Sequence, residues 1–325
     1  MRKYKIAIDV MGSDNGPQEL VQGALETLGE HEELELLLVG DEAVIKGACE
    51  GCAADMSRVE ILHADEVITN YDSPAVALFE KRNSSLVKAL SALAARDDID
   101  ALINAGSTGA LIAGSMRYLP TADRVRPALA ATFPAERGGV VCLVDTGATI
   151  DCGAQTLLHF ARLGSAFMKE RYNIDSPKVG LLSNGREETK GNKVVKEAHG
   201  LLAAEESLNF VGNIEGNNAL SGDCDVLVCD GFAGNQVLKV TEGTARRIIT
   251  DIVRFARKTG NESCMALVAH LMGIYGMDTN GGGIILGVRK LVIKAHGAAD
   301  KQALKGVINM TLTLAKNKDL SDKKA

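Results

Sequence analysis

The run NAGSTG at 104–109 has the residue types that an anion site needs. Small side chains let a ligand approach the backbone, and Ser107 or Thr108 can cap a following helix. The free N–H groups and dipole at that helix start then attract negative charge, with phosphate the natural guest. Five further runs mix glycine with carboxylates, amides and hydroxyls: DVMGSD at 9–14, DTGATID at 145–151, SNGREETKGN at 183–192, GNIEG at 212–216 and DGFAGN at 230–235. Any one of them could be turn chemistry alone. Lys190 stands beside Arg186 and two glutamates in a glycine-bounded loop, and such a cation can offset charge where an anion meets a carbonyl, the demand of acyl transfer. In KAHG at 294–297, Lys294 and His296 add a second cation and a group that exchanges protons near neutral pH.

A second chemistry fits the same residues. The stretch 105–109 (AGSTG) has the form of a nucleophile elbow with alanine for the first glycine, and Asp230 and His296 follow in hydrolase order. Ser107 is therefore either an anion-binding cap or a nucleophile. Other chemistries lack their signatures. No G-x-G-x-x-G follows the first strand, no Gly-Lys dipeptide occurs, and HExxH is missing. Cys49 and Cys52 form a C-x-x-C without a second pair or histidines at zinc spacing, so they read as small helix or loop residues.

The elements that must position these groups alternate between short β-rich runs and longer helical ones. Strands are expected at 4–8, 34–39, 101–103, 140–144, 179–182, 209–211, 226–229, 284–288 and 291–295. Helices are expected at 17–28, over a long stretch at 73–95, from about 108, 156 and 192, from the DGFAGN run to about 258, and at 299–316, before a polar, frayed tail. Repeated β-α units predict an α/β fold, three layers α/β/α around a mostly parallel sheet, with a βα-barrel as the rival. In open sheets of this kind ligands bind at the carboxyl ends of the strands, so the six runs are expected to converge on one crevice. No linker or repeat divides the chain, which predicts one domain over 1–325 with a helical elaboration at about 253–277.

Composition narrows the partners. The chain is 46% hydrophobic and 24% charged, as a globular protein with a full core should be, and its net charge of −6 without long basic runs argues against nucleic acid. The amino-terminal apolar run is interrupted by Asp9, no segment reaches the eighteen or so apolar residues of a membrane span, and seven scattered cysteines make no disulfide framework. A cytoplasmic protein is expected.

Taken in order, these runs resemble the phosphate acyltransferase family of bacterial phospholipid synthesis, often called PlsX, over nearly the whole chain. The matching stretches are DVMGSDNGP at 9–17, LVGD at 38–41, HADEVI at 63–68, RNSS at 82–85, NAGSTGAL at 104–111, RPAL at 126–129, DTGATID at 145–151, KGN at 190–192, GNIEG at 212–216, DGFAGN at 230–235 and IKAHG at 293–297. The resemblance implies transfer of a long-chain acyl group from acyl carrier protein to inorganic phosphate, with the acyl phosphate handed to a membrane glycerol-3-phosphate acyltransferase. It also implies a fold similar to phosphotransacetylases and isocitrate-type dehydrogenases, a homodimer, and no metal, nucleotide or other cofactor. On that basis Ser107, Thr108 and Gly109 hold phosphate with Asn104 and Arg82, while Lys190 and His296 stabilise charge at the thioester. Asp9, Asp145 and Asp230 orient loops or cations, and Gly12, Asp14, Gly106, Asn192, Asn213, Gly231, Asn235 and Lys294 complete the substrate-binding set. Three alternatives stay open: an acyl-CoA-using phosphotransacetylase-like enzyme, a serine hydrolase built on Ser107, and a non-catalytic acyl-binding module.

The stretch 253–277 departs most from the family pattern. It carries Arg254, Arg257 and Lys258, then the apolar run MALVAHLMGI at 265–274. A helical hairpin against the dimer mate is one reading. A peripheral membrane contact is another, with basic residues on anionic headgroups and Leu267, Leu271 and Met272 inserted. The same basic residues could instead meet the acidic carrier protein.

Overall fold

The computed structural model describes residues 2–119, 126–261, 263–275 and 282–322, which divide into two compact units. The first spans residues 1–127 and 281–319. It contains β1 (Tyr4–Asp9), α1 (Pro17–Glu30), β2 (Leu34–Gly40), α2 (Glu42–Cys49), β3 (Val59–His63), α3 (Pro74–Glu80), α4 (Ser85–Ala95), β4 (Ile99–Asn104) and α5 (Thr108–Tyr118). After the second unit the chain returns as β10 (Gly282–Leu286), β11 (Leu291–Ala295) and the closing helix α10 (Lys301–Asp322). Strands lie in the order β3-β2-β1-β4-β11-β10, all parallel except the β10–β11 hairpin.

Consecutive residues are buried in the central strands: Ile6, Ala7 and Ile8 in β1, and Ala101, Leu102 and Ile103 in β4. A parallel strand covered on both faces needs such an unbroken apolar run. The helices start where the sequence supplies caps. Pro17 opens α1, and Asp41, Ser84 and Ser107 accept from the first-turn N–H groups of α2, α4 and α5. One close approach demands glycine: a Cβ on Gly23 of α1 would stand 2.6 Å from the carbonyl oxygen of Lys301 at the start of α10.

The second unit holds β5 (Ala128–Pro134), β6 (Val140–Val144), α6 (Ala154–Tyr172), β7 (Lys178–Ser183), α7 (Lys193–Ala203), β8 (Asn209–Glu215), β9 (Val226–Val228), α8 (Gly231–Thr259) and α9 (Ser263–Tyr275). Its strands run β5-β6-β9-β7-β8, antiparallel only between β5 and β6. Both units are α/β with mostly parallel sheets, as the alternation predicts. Their open strand orders exclude the barrel.

Several expectations need correction. The expected helix 73–95 is two helices, because Glu66 takes the chain out of helical path: its carboxylate accepts the Asn83 N–H and its carbonyl the Ser85 N–H, and Ser84 then caps α4. Helix α2 and strands β3 and β5 were not expected. The closing helix begins at Lys301 rather than 299 and runs past 316 to Asp322. In the stretch expected as a helical elaboration at about 253–277, the end of the 29-residue α8 and α9 form a hairpin turned at Gly260, whose φ of 65° favours glycine. Residues 262, 276 and 277 of that expectation lie outside the described residues. Cys49 and Cys52 are free and share one turn, Cys52 N–H donating to the Cys49 carbonyl at 3.1 Å. No helix among the described residues is long and apolar enough to cross a membrane.

Candidate active site

In the first unit, register brings three expected residues into line at the carboxyl ends of neighbouring strands: Asp9 on β1 opposes Asn104 on β4, and Asn104 opposes Lys294 on β11. The Asn104 amide donates to Asp9 Oδ2 at 2.8 Å, while its own Oδ1 is buried without a partner among the described residues. Asp9 Oδ1 accepts the Met11 N–H at 3.1 Å, and the Ser85 hydroxyl donates to the same carboxylate. Burial outweighs these donors and pushes the Asp9 carboxyl up to about 6.

The chain leaves β4 through Ala105 and Gly106 into α5. Ser107 is the N-cap, buried, with Oγ accepting from Ala110 N–H at 3.4 Å. Thr108 is half-buried and Gly109 exposed, so the remaining first-turn N–H groups lie at a helix start that suits an anion. Gly12, at φ 78°, stacks on this turn, and a Cβ there would meet the Gly106 Cα at 3.5 Å. The loops after β1 and β11 are tied together: Asp14 N–H donates to the Gly297 carbonyl at 2.8 Å, and the Asn15 side chain to the Ala298 carbonyl at 2.8 Å.

Lys294 is mostly buried, with Nζ donating to the Ala295 carbonyl. Burial pushes its ammonium down to about 8, against the opposing pull of Asp14. His296 is exposed, and its Nδ1 accepts the Ala298 N–H at 3.2 Å, an arrangement that leaves the ring proton on Nε2. Ser107 has φ −60° and ψ 119°, ordinary extended backbone rather than the strained elbow of a hydrolase nucleophile. Arg82 is exposed in the α3–α4 connection, and its Nε donates to the Phe79 carbonyl at 3.2 Å. Ser85 was missed by sequence reasoning. The signal available was its place in RNSS at a helix start.

The second unit gathers two groups. Asp145 is fully buried after β6, where its carboxylate accepts backbone N–H groups of Leu129 at 2.9 Å, Gly147 at 3.3 Å, Ala148 at 3.1 Å and Thr149 at 2.6 Å. Burial still raises its pKa. Against this loop sits the first turn of α8. Asp230 caps it by accepting Ala233 N–H at 2.7 Å, Gly231 N–H donates to the Thr149 carbonyl at 2.8 Å, and the Asn235 amide to the Thr146 carbonyl at 3.2 Å. Asp145 and Asp230 thus shape loops. In the other group, Glu187 is the hub: its carbonyl accepts Lys190 N–H at 3.0 Å and the Asn213 amide at 2.8 Å. Asn192 caps α7 through Val195 N–H, and the Lys190 side chain is exposed. Arg186 lies 3.7 Å from both Glu215 and Asp223.

In the α8–α9 hairpin, Leu271 and Tyr275 of α9 line a groove of about 350 Å³ with Val240, Ala245, Ile248 and Ile249 of α8. Leu271 therefore faces α8, whereas Leu267 and Met272 are exposed. Phe232, Val240, Ile248 and Phe255 recur about every two turns along α8 and are exposed as well.

Comparison with known proteins fits these observations. A family model described as fatty acid synthesis protein matches residues 4–321. The phosphate acyltransferase of Clostridium tetani is 37% identical over 319 residues, covering 96% of this chain and 94% of the relative. That of Syntrophomonas wolfei is 38% identical over 301 residues, covering 92% and 91%. Among solved structures, the EutD phosphotransacetylase from Staphylococcus aureus aligns over 97% of this chain and 94% of its own, with a TM-score of 0.60 at 17% identity. A branched-chain phosphotransacylase from Enterococcus faecalis V583 aligns over 96% and 99%, with 0.61 at 14%. At those identities the likeness concerns the fold.

Proposed function

Because the chain belongs to the phosphate acyltransferase family of fatty acid synthesis and is an enzyme of that kind, we propose that its acyl donor is a long-chain thioester of acyl carrier protein and its acceptor inorganic phosphate. The observation that carries this reading is the start of α5, where first-turn N–H groups stand next to the strand line of Asp9, Asn104 and Lys294. Phosphate sits on that helix start, its charge offset by the dipole and by the Lys294 ammonium. A phosphate oxygen attacks the thioester carbonyl carbon. The tetrahedral oxyanion then collapses, the C–S bond breaks, and the carrier leaves as a thiolate that takes a proton from water. The Nε2–H of His296 stabilises the oxyanion and the leaving sulfur by hydrogen bonding, and the Lys190 ammonium is a further cation that the reaction uses. Arg82 adds positive charge for the incoming phosphate. No acyl-enzyme is needed, in keeping with the unstrained Ser107. Acyl phosphate should form at least about tenfold faster from palmitoyl acyl carrier protein than from palmitoyl-CoA at equal concentration. Equal rates would replace this donor with CoA.

The enzyme works as a cytoplasmic homodimer that touches the membrane peripherally, where its product passes to a membrane acyltransferase. The recurring apolar residues of α8 support a dimer surface. The exposed Leu267 and Met272 of α9, with Arg254, Arg257 and Lys258 nearby in sequence, support a lipid surface. The double variant Leu267→Glu, Met272→Glu should stop flotating with anionic vesicles yet keep a dimer's mass by light scattering. Unchanged flotation would remove the lipid contact.

A further inference from the structure

Asp9 is a carboxylate sealed inside the first unit, only 2% exposed, without a cation beside it among the described residues. Beta strand β2 opposes it with Val39 and β4 with Asn104, while α4 presents Ser85; the nearest cation along the register, Lys294, lies beyond Asn104 and is drawn toward Asp14. Its partners among the described residues are neutral donors. They come from three places: the Met11 N–H in the DVMGSD loop, the Ser85 hydroxyl at the start of α4, and the Asn104 amide at the end of β4. A buried, unpaired charge of this kind costs stability, and an amide of the same shape would remove the cost. Asn104 in turn lies against Gly106, where an added Cβ would stand 3.4 Å from Nδ2. The carboxylate therefore reaches the entrance of α5 through one side chain and the β1 loop through one N–H.

Resting on the reading of α5 as the phosphate-binding end, we propose that Asp9 is a positioning residue whose ionised carboxylate locks the Asn104 amide and the Met11 turn into the arrangement that receives phosphate. Protonated, the carboxyl has a hydrogen to place and one acceptor fewer. The Asn104 amide can then turn over and offer Oδ1, the atom now without a donor, to Asp9. Loss of the charge thus relaxes the site while relieving the fold.

The sign follows from the direction of the shift. A carboxyl raised to about 6 binds a proton more readily in the folded than in the unfolded chain. Its charge costs stability fully above pH 6, and the cost fades as pH falls toward 4.

The test is Asp9→Asn, followed by thermal unfolding and by phosphate-dependent acyl transfer across pH 5 to 8. The variant should melt about 5 °C higher than the parent at pH 7.5, with the gap closing toward pH 4.5. Its kcat/KM should be about tenfold or more lower at pH 7.5. The parent's kcat/KM should fall below an apparent pKa near 6, and the variant should lack that acid limb. Merely structural use of Asp9 would move stability and leave the limb in place. An active parent with a variant of equal rate and identical pH profile overturns the role of Asp9 and leaves the function reading standing. If the parent makes no acyl phosphate, that reading fails instead, and calorimetry with orthophosphate alone decides for Asp9: weaker binding by Asp9→Asn upholds it, equal binding ends it.

Discussion

Gly234→Ala should cost the second unit about 4 kcal/mol or more and leave little folded protein. A Cβ at this position would stand 1.9 Å from the Asp145 carbonyl oxygen, and that atom cannot retreat. The Cys229 thiol donates to it at 3.4 Å, Asp145 N–H is bound to the Cys229 carbonyl at 3.0 Å, and the Asp145 side chain is fixed by four backbone donors. The clash is therefore backbone against backbone, across the contact that seats α8 on the DTGATID loop. Gly243→Ala supplies the internal control. It lies in the same helix with none of the described residues within 4 Å of the added carbon, so it should stabilise by about 0.5–1 kcal/mol. Urea unfolding of the two variants checks the pair, and a parent-like midpoint for Gly234→Ala would contradict the packing.

Removing the cations should have the largest effect on rate. Lys294→Met should lower kcat/KM by about 10²–10³, because an ammonium held mostly out of water acts on phosphate with little screening. Phosphate binding needs the charged form. With the group pushed down to about 8, kcat/KM of the parent should decline as pH rises past 8, and Lys294→Arg should carry partial activity to higher pH. Lys190→Ala should lower the rate by about 10²; the side chain is exposed and carries little of the fold, so its melting temperature should stay within about 2 °C of the parent. A Lys190→Ala enzyme with full phosphate-dependent activity would remove that residue from the mechanism, and a Lys294→Met enzyme without loss would remove the other.

Much of this was legible in the chain because local signals and tertiary structure agree. The unbroken apolar runs of β1 and β4 and the serine at 107 each state their own position: buried parallel strand and helix cap. What stayed hidden depends on partners distant in sequence. The break between α3 and α4 is imposed by Glu66, seventeen residues before the Asn83 N–H that it accepts. Ser85 matters only because α4 lays it on Asp9, and no spacing rule links 9 to 85. Asp9 and Asp145 look alike in sequence, each opening a glycine-bearing run. Folding separates them: four backbone donors surround Asp145, whereas Asp9 shares its carboxylate with the Asn104 side chain. Leu271 reads as one more apolar residue of an exposed run, and only the hairpin turn at Gly260 makes it face α8.

Acyl transfer to phosphate is tested most directly by incubating the purified enzyme with palmitoyl acyl carrier protein, with and without orthophosphate, and trapping acyl phosphate as its hydroxamate while following thioester loss. Hydroxamate that appears only with orthophosphate, in step with thioester loss, is the expected result. Thioester loss indifferent to phosphate and abolished in Ser107→Ala would make the α5 entrance a hydrolase site, and tight acyl binding without turnover would make it a binding module.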